Sequence, residues 1–231
     1  MYAKFIKRPL DFILSVTALI VISPFLLLLT VVGAIVLKGN PFFTQLRPGK
    51  KDKDGNEKIF KLIKFRTMSN AKDKDGNLLP DAQRLGKYGK LLRSTSLDEL
   101  PSLVNIVSGS LSIVGPRPQL VRDMIFMNDE QRRRHNVRPG LTGLAQVNGR
   151  NNITWEQKFE YDLHYIDSGI TFTGDVKIIL KTVGKVLKRS DTVREGTVSD
   201  MDFGDWLLQL GEVEQGYYDD MQEKARELIN R

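Results

Sequence analysis

The sequence contains no cysteine and only two histidines, and it lacks the common nucleotide-binding and hydrolase motifs. The absence of cysteine excludes disulfides, thiolate metal sites and a cysteine nucleophile. His135 and His164 are too few for a typical zinc site with three protein ligands. No GxxxxGK loop, no GxGxxG after a predicted strand and no GxSxG elbow is present. Any bound metal is therefore expected to be a hard cation held by oxygen atoms, with Mg²⁺ the best match.

Positive charge predominates, and it is unevenly distributed. The 231 residues carry 35 Lys and Arg against 28 Asp and Glu, a formal net charge of +7. Residues 200–231 hold nine of the acids and three of the bases, so residues 1–199 hold 32 bases and 19 acids. A body this basic indicates an anionic partner of one of three classes: nucleic acid, a membrane surface or a phosphorylated substrate.

One long uncharged segment indicates a membrane. The 26 residues from Phe12 to Leu37 contain no charged side chain. At ~1.5 Å per residue, a helix of this length exceeds a hydrocarbon core of ~30 Å. The segment is too long for the apolar region of a signal peptide, and no small-residue cleavage site follows it. We therefore expect it to remain on the protein as a membrane anchor.

Pro24 and the flanking charges indicate how this segment meets the bilayer. Pro24 lies near the midpoint and removes one helical hydrogen bond, while the hydroxyl of Ser23 can bond back to a carbonyl one turn earlier. Lysine and arginine flank the segment on both sides, which favours the cytoplasm for both ends. We predict a re-entrant helix–break–helix at Ser23-Pro24. The alternative is an ordinary spanning helix with a proline kink.

The rest of the chain predicts an α+β fold, mostly α, with one short β-hairpin. Two strands, "PFFTQLRPG" and "KIFKLIKFRTM", flank the turn Asp54-Gly55-Asn56. Helices are predicted over 82–93, over 97–108, over 119–134, from an N-cap at Thr154 to Asp167, and over 174–189. The last is amphipathic and lysine-rich, which suits either a core-facing surface helix or an interfacial helix at the membrane. The stretches "SGSLSIVGPRP" and "NVRPGLTGLAQVNGRNN" are predicted to be loops.

The stretch "STSLDELP" places two carboxylates, Asp98 and Glu99, side by side in a basic region. One interpretation is a capping box, in which Ser96 and Glu99 begin a helix. Pro101 argues against it, because it would then occupy the fifth helical position. A helix that begins near Asp98 places Pro101 in the first turn, where proline is tolerated. The other interpretation is a catalytic carboxylate beside a metal-binding one, since a carboxylate can attack phosphorus when Mg²⁺ and cations neutralise the phosphate.

Several long motifs occur in a characteristic order: "KRPLDFILS", "KFRTM", "LLRSTSLDELPSLVNIVSGSLSIVGPRP" and "RPGLTGLAQVNGRN". Together they resemble the bacterial sugar transferase family, the monotopic phosphoglycosyl transferases, over nearly all of residues 1–198. The resemblance implies transfer of a sugar-1-phosphate from a UDP-sugar to a polyprenyl phosphate, usually undecaprenyl phosphate. This reaction is the first membrane step of surface polysaccharide and glycoconjugate assembly. The resemblance also implies the re-entrant helix broken at Ser23-Pro24.

The resemblance further implies roles for individual residues. Asp98 is implied to be the nucleophile, which attacks the sugar-bearing phosphate, releases UMP and forms a phosphosugar–aspartate. Glu99 is implied to bind Mg²⁺, with Asp98 close to the same ion, and Arg117 to contact the nucleotide or the phosphates. The further substrate-binding candidates are Lys64, Arg66, Arg93, Pro118, Arg138, Arg150 and Asp175. For each basic residue among them, a solvated or core-bracing role is the alternative.

The implied organisation has three parts. Residues 1–40 form the re-entrant membrane element, residues 41–198 the catalytic domain on the cytoplasmic face of the bacterial inner membrane, and residues 199–231 an acidic tail. The expected partners are a UDP-sugar, undecaprenyl phosphate, membrane lipid and a second copy of the chain as a homodimer. Nucleic acid is not expected, because no basic motif interleaved with aromatic residues is present. The rival interpretations are a membrane-tethered nucleic-acid binder and a non-catalytic assembly partner of an enzyme complex.

The acidic tail contains many large apolar side chains for a solvated segment. Disordered tails rarely carry such residues, because they cannot bury them. We predict that the tail folds back on the basic body or on a second subunit, away from the anionic membrane. Trp206, Tyr217 and Tyr218 are the expected buried anchors.

Overall fold

The computed structural model describes residues 1–149, 153–188 and 201–230. The α-helices in these ranges are α1 (Lys7–Leu37), α2 (Asp81–Arg84), α3 (Lys87–Ser94), α4 (Leu103–Ser108), α5 (Val121–Met124), α6 (Asp129–Arg132), α7 (Leu144–Asn148), α8 (Trp155–Asp167), α9 (Phe172–Lys188), α10 (Phe203–Leu210) and α11 (Gln215–Asn230). The strands are β1 (Phe42–Lys51), β2 (Glu57–Phe65), β3 (Ser112–Val114) and β4 (Gly140–Thr142). The predicted α+β class with mostly helical content is confirmed.

The N-terminal helix α1 is long and apolar enough to cross a membrane. A π-helical turn, Tyr2–Ile6, precedes it, and it ends at Lys38, which has the left-handed φ of 49°. Pro24 lies inside the helix. The hydroxyl of Ser23 donates to the carbonyl of Ile20 at 2.8 Å, which is the back-bond that the sequence predicts. Most large apolar side chains of α1 are exposed, so the helix presents a long apolar surface that the described part of the protein does not cover.

Polar side chains in the first half of α1 attach it to α4 and β3. Arg8 donates to the carbonyls of Ile106 and Val107 at 2.5 and 2.8 Å. The buried carboxylate of Asp11 accepts from the hydroxyl of Ser112 at 2.6 Å. Carbonyls at the end of a helix have no partner within the helix, so a cation placed there stabilises it. Specific polar contacts therefore hold the apolar helix on the body.

The other end of α1 also lies against the body. The hydroxyl of Tyr88, on α3, donates to the carbonyl of Leu29 at 3.2 Å. Gly33 is buried, and a β-carbon at this position would lie 2.7 Å from the hydroxyl of Tyr88 and 3.1 Å from Pro41. A larger residue here would displace the Tyr88 hydroxyl, so glycine suits this close approach. Both ends of α1 contact the same folded body.

β1 and β2 form the predicted antiparallel hairpin. Phe42 pairs with Phe65 at its open end, where the two rings stack with centroids 5.4 Å apart. The connecting turn places Gly55 at a φ of 86°, a conformation that glycine adopts without strain. The register shifts between Pro48 and Lys51, which marks a bulge in β1.

The predicted helix over 119–134 is wrong as one continuous element. The structure divides it into α5, α6 and a 3₁₀ turn, Arg133–Asn136. The carboxylate of Asp123 accepts from the backbone N–H of Leu120, and Asn128 begins a new helix with a capping box. Side chains that bond nearby backbone groups compete with helix continuation in this way.

Two other predicted helices are also subdivided. Residues 82–93 correspond to α2 and α3, with an interruption at Leu85-Gly86. Residues 97–108 correspond to a 3₁₀ turn, Leu97–Ser102, followed by α4. Pro101 lies within this turn, where the absence of its N–H is tolerated.

β3 and β4 form a parallel pair within two stretches that the sequence predicts to be loops. Ser112 lies opposite Gly140, and Val114 lies opposite Thr142. A β-carbon on Gly140 would lie 2.1 Å from the nitrogen of Gly115, so only glycine allows this approach. Three-residue strands are too short to show an alternating apolar pattern, which is why the sequence does not reveal them.

Two long helices form the other side of the body. The predicted N-cap of α8 is confirmed, because the hydroxyl of Thr154 accepts from the backbone N–H of Gln157. α9 buries Asp175 and Ile178 against the body. Its exposed apolar side chains include Phe172, Leu180, Val183 and Leu187. One face of α9 thus packs on the body, and apolar side chains on the rest of its surface are exposed.

The acidic tail folds back on the body, as predicted. The buried cluster that joins them consists of Phe126, Met127, Trp155, Phe159, Phe203 and Met221. Of the three expected anchors, Trp206 and Tyr218 are only partly buried and Tyr217 is 50% exposed. The anchors are instead Phe203 and Met221, which are 2% and 7% exposed. The predicted boundary between residues 198 and 199 lies outside the described residues.

Polar contacts add to this packing at the start of α10. The carboxylate of Asp123 accepts from the backbone N–H of Phe203 at 2.9 Å, and Asp202 pairs with Arg122. Burial and the neighbouring charge of Asp123 raise the pKa of Asp202 to about 6. These contacts attach the start of α10 to α5, which follows Pro118 closely in the sequence.

We expect Phe203→Ala to lower the free energy of unfolding by about 3–5 kcal/mol, because it empties a buried aromatic site. The matched control is Leu210→Ala in the same helix, since Leu210 is 55% exposed and its truncation should cost little. Thermal unfolding of both variants measures the difference. Equal melting temperatures for the two variants would show that the tail does not contribute to the core.

Candidate active site

The two adjacent carboxylates lie in the 3₁₀ turn Leu97–Ser102, which packs on β2. Ser96 precedes the turn with a left-handed φ of 56° and makes no side-chain cap bond, so the capping-box interpretation is wrong. Asp98 and Glu99 occupy the first turn, where backbone N–H groups and the helix dipole favour negative charge. The hydroxyl of Ser102 donates to the carbonyl of Ile63 at 2.8 Å and ties the turn to the strand.

Glu99 joins two cations from different parts of the chain. Its Oε1 accepts from Nζ of Lys64 at 2.7 Å and from Nη2 of Arg117 at 2.8 Å. Only 12% of the Glu99 side chain is exposed, so these contacts are little screened by solvent. Burial lowers the pKa of Lys64, and the negative charges of Glu99 and Asp98 oppose that fall. Two acids and two bases thus meet in one half-buried cluster.

A second set of contacts fixes the backbone around Arg117. Arg134 donates from Nη2 to the carbonyl of Arg117 at 2.7 Å and to the buried carboxylate of Asp162 at 2.6 Å. Arg47, on β1, donates to the carbonyl of Pro118 at 3.0 Å. Burial and the positive charge of Arg117 lower the pKa of Arg47 to about 10. The predicted stiff segment around Arg117 is therefore held by two guanidinium groups, those of Arg47 and Arg134, which no sequence motif marks.

Two cavities adjoin Glu99 and Arg117. The larger has a volume of about 240 Å³ and lies between the 3₁₀ turn, β4, α7 and α9. Its apolar lining consists of Leu100, Ile113, Leu141, Val147, Ile179, Val183 and Val186. The smaller, of about 20 Å³, is lined by Arg47, Lys64, Ser102 and Pro118 among others. Glu99, Arg117 and Leu141 line both cavities, so the charged cluster lies where the two cavities adjoin.

Arg93 and Arg66 lie near the hairpin, on the side of α3 and α1. Arg93 donates from Nε to the hydroxyl of Thr67 at 3.0 Å and from Nη2 to the sulfur of Met68 at 3.0 Å. The guanidinium of Arg66 lies beside Gly39, just after α1, and its buried Nε has no hydrogen-bond partner. Neither residue lines the two cavities.

The structure does not bring Arg138 into this cluster. Its Nε donates to the carbonyl of Gly109 at 2.8 Å, beside the two carbonyls that accept from Arg8. Burial and the positive charge of Arg8 lower the pKa of Arg138. Arg138 therefore stabilises the C-terminal end of α4, the core-bracing role that the sequence analysis gives as the alternative.

Asp175 also lies in a different network. Its carboxylate accepts from the hydroxyls of Tyr2 and Tyr165, both at 2.8 Å, and pairs with Lys7 at 2.6 Å. Asp175 is buried and joins the start of α1 to α8 and α9, and it lines neither cavity. The remaining candidate, Arg150, lies outside the described residues.

The donor set at the site fits a hard cation. Among residues 1–149, 153–188 and 201–230, no group of three acidic or imidazole side chains is placed to enclose a metal. Mg²⁺ does not need such a cage, because it often takes one or two carboxylates and fills its shell with water and substrate phosphates. Asp98 and Glu99 offer two adjacent carboxylates of this kind.

Comparison with known proteins identifies the family. A family model described as bacterial sugar transferase matches residues 2–189. The chain belongs to the bacterial sugar transferase family. The resemblance read from the motifs is confirmed, and so is the prediction of an enzyme.

Relatives of this sugar transferase come from several bacteria. EpsL of Bacillus subtilis (strain 168), named as an uncharacterized sugar transferase, is 46% identical over 182 residues, which are 79% of this chain and 87% of that protein. The exopolysaccharide production protein ExoY of Sinorhizobium fredii is 35% identical over 200 residues, which are 78% of this chain and 84% of ExoY. The UDP-glucose:undecaprenyl-phosphate glucose-1-phosphate transferase of Klebsiella pneumoniae is 42% identical over 194 residues. These cover 78% of this chain but only 39% of the Klebsiella protein.

The different positions of two arginines in this sugar transferase lead to a direct test. Arg138→Met removes the cation at the end of α4, so we expect it to lower the melting temperature while folded protein keeps most of its transferase rate. Arg117→Met breaks the contact with Glu99, so we expect it to lower the rate by at least ~10²-fold with a smaller thermal effect. Unfolding curves and transferase rates of both variants test this. A larger rate loss for Arg138→Met than for Arg117→Met would contradict the assignment.

Proposed function

We propose that this sugar transferase moves a sugar-1-phosphate from a UDP-sugar to undecaprenyl phosphate, with Asp98 as the covalent nucleophile. The observation that carries the proposal is the half-buried cluster in which Asp98 stands beside Glu99, and Glu99 contacts Lys64 and Arg117. Guanidinium and ammonium groups bind phosphate oxygens, and a neighbouring carboxylate can attack the phosphorus that they hold. The cluster combines both requirements.

The names of relatives support the choice of donor and acceptor. The Klebsiella protein is named for transfer of glucose-1-phosphate from UDP-glucose to undecaprenyl phosphate. A relative from Erwinia amylovora, 33% identical over 205 residues, is named a UDP-galactose-lipid carrier transferase. The sugars differ between these relatives, while a uridine diphosphate donor is common to both names. We therefore propose a UDP-sugar donor as a class.

Two displacements at the same phosphorus account for the reaction. In the first, an oxygen of Asp98 bonds to the phosphorus that bears the sugar, and the bond from this phosphorus to the bridging oxygen of UMP breaks. UMP leaves with that electron pair, and a phosphosugar–aspartate remains. In the second, a phosphate oxygen of undecaprenyl phosphate attacks the same phosphorus, and the bond to Asp98 breaks. The carboxylate is regenerated, and the product is the undecaprenyl diphosphate sugar.

The neighbours of Asp98 have supporting roles in these steps. Lys64 and Arg117 lie within 3 Å of Glu99, where they offset negative charge and can contact the substrate phosphates as these enter. Asp98 and Glu99 are the residues that would hold Mg²⁺, which neutralises phosphate oxygens when bound. Arg47 and Arg134 keep the Arg117 segment in position through its carbonyl groups.

We further propose that α1 enters and leaves the membrane on the cytoplasmic side, where the body lies. The contacts of Arg8 and Asp11 at one end of α1, and of Leu29 and Gly33 towards the other, all reach the same body. A helix that spans the bilayer can place only one of its ends against a body on one side. The predicted membrane-lipid contacts and homodimer remain predictions.

The covalent step predicts a modified enzyme in the absence of acceptor. Incubation of the full chain with UDP-sugars, tested as a panel, should release one equivalent of UMP and add one sugar-phosphate to Asp98, seen by mass spectrometry. Asp98→Asn should abolish the adduct and lower turnover by at least ~10³-fold. Asp129→Asn, at an exposed acid on α6, is the matched control and should leave both unchanged.

The outcomes separate the two parts of the proposal. Transfer that proceeds only with both substrates present, and never with an adduct, would exclude the aspartyl intermediate and leave the overall reaction standing. No UMP release from any UDP-sugar, even with undecaprenyl phosphate present, would reject the function itself. Chelation by EDTA should suppress UMP release, and restored Mg²⁺ should recover it.

The topology can be tested by cysteine labelling, because the chain has no cysteine of its own. Ala3→Cys lies before α1, and Asp54→Cys lies in the exposed turn of the hairpin. With an impermeant thiol reagent on sealed vesicles, both should react from the same side of the membrane. Pro24→Leu restores the missing backbone donor and should shift part of the Ala3→Cys label to the opposite side. Opposite-side labelling in the parent chain would establish a spanning helix.

A further inference from the structure

Gln146 is a buried carboxamide with no hydrogen-bond partner in the described protein. It lies in α7 between Ala145 and Val147, both of which are buried. Its side chain is among those that line the cavity of about 240 Å³, and the residue is only 8% exposed. Neither its oxygen nor its nitrogen makes a hydrogen bond. Nothing in the family resemblance or in the names of the relatives assigns it a role.

A carboxamide in this position is unfavourable unless something else binds it. A buried polar group without a partner is destabilising, because it has lost its hydrogen bonds to water. A leucine of similar size would fit an apolar wall without that cost. The hydroxyls of Thr142 and Thr182, which also line the cavity, bond each other at 2.7 Å. Gln146 is therefore a buried group in this cavity with hydrogen-bonding capacity to spare.

The lining of the cavity can be compared with three parts of the substrates: the sugar, the prenyl chain and the pyrimidine base. A hexose carries hydroxyls around its ring and needs several polar partners, but the walls are mostly aliphatic. A prenyl chain suits aliphatic walls but leaves Gln146 unpaired. A pyrimidine base has two apolar faces and one edge on which a donor and an acceptor lie side by side. That edge matches a carboxamide, which also presents one acceptor beside one donor.

The position of the cavity agrees with this match. Glu99 and Arg117 line it as well as Gln146, so a ligand held by Gln146 extends towards the residues proposed to handle the phosphates. Its volume of about 240 Å³ lies below the ~300–1,000 Å³ typical for a whole drug-sized ligand. The cavity is therefore sized for one moiety of the donor and not for the complete nucleotide sugar.

We propose that this cavity binds the uracil base of the donor, with the Gln146 carboxamide paired to the base edge. The Gln146 oxygen accepts from the N3–H of uracil, and its amide nitrogen donates to a neighbouring carbonyl oxygen of the base. Aliphatic side chains such as Leu100 and Val183 cover the ring faces. This inference rests on the proposed function, because it assigns part of the same donor.

The test compares UMP with N3-methyl-UMP, which lacks the N3–H donor. Calorimetric titration of the wild-type chain should show that N3-methylation weakens binding by about tenfold or more, since it removes the partner of a buried acceptor. In Gln146→Leu, UMP should bind about tenfold more weakly than in the wild type, and the two ligands should bind alike. Gln209→Leu, the same substitution at an exposed glutamine of α10, should behave as the wild type.

Steady-state kinetics give a second readout. Gln146→Leu should raise the KM for the UDP-sugar by about tenfold and leave the KM for undecaprenyl phosphate unchanged, with an unchanged or higher melting temperature. If the KM for undecaprenyl phosphate rises instead, the cavity holds the prenyl chain and the proposal is wrong. It is also wrong if wild-type and Gln146→Leu chains discriminate equally against N3-methyl-UMP. These results differ from failure of the proposed function, in which the wild type releases no UMP from any UDP-sugar.

Discussion

The bifurcated contact at Oε1 of Glu99 is the constraint around which the candidate site is built. It joins β2, which carries Lys64, the 3₁₀ turn, which carries both carboxylates, and the segment that contains Arg117. The turn is also tied to β2 by the bond from the Ser102 hydroxyl to the carbonyl of Ile63. A carboxylate held by two cations in a half-buried setting is less well compensated when one of them is lost. The geometry of the site and the local stability of the body therefore depend on the same atoms.

Arg134 extends this constraint into the core. Its side chain is 1% exposed and pairs with Asp162, which is 2% exposed. It also lies over the ring of Phe159, with its guanidinium carbon 5.7 Å from the ring centroid. Phe159 belongs to the aromatic cluster that buries Phe203 of the tail. A continuous series of contacts thus runs from the tail to the carbonyl of Arg117, although the tail lies beyond the region that the family model matches.

Much of the site was predictable from sequence because its residues are close together or lie in long motifs. Asp98 and Glu99 are adjacent, Arg117 lies between two prolines, and Pro101 reveals the start of the 3₁₀ turn. The hairpin and the cap at Thr154 were also predictable, since both depend on local turn and cap chemistry. The long apolar run likewise gives its helix directly.

The contacts that the sequence does not reveal are those that depend on distant partners. Arg138 and Arg117 look alike as motif arginines, yet one meets backbone carbonyls at the end of α4 and the other meets a carboxylate. Asp175 is a possible site residue by sequence, but its partners are Tyr2 and Lys7 near the start of the chain and Tyr165 of α8. β3 and β4 are too short for a periodic signal, and their pairing depends on glycine approaching glycine. In each case the deciding neighbour lies far away along the chain.

The attachment of α1 to the body has a consequence during synthesis, because its partners are made much later than α1 itself. Arg8 meets Ile106, and Asp11 meets Ser112, so each pair is separated by about a hundred residues. At synthesis rates of ~5–20 residues per second, α1 leaves the ribosome roughly 5–20 s before its polar partners exist. During that interval the carboxylate of Asp11 lacks its partner Ser112 of β3 and is best solvated by water. The body, once it is made, therefore covers a carboxylate that the newly made helix leaves exposed.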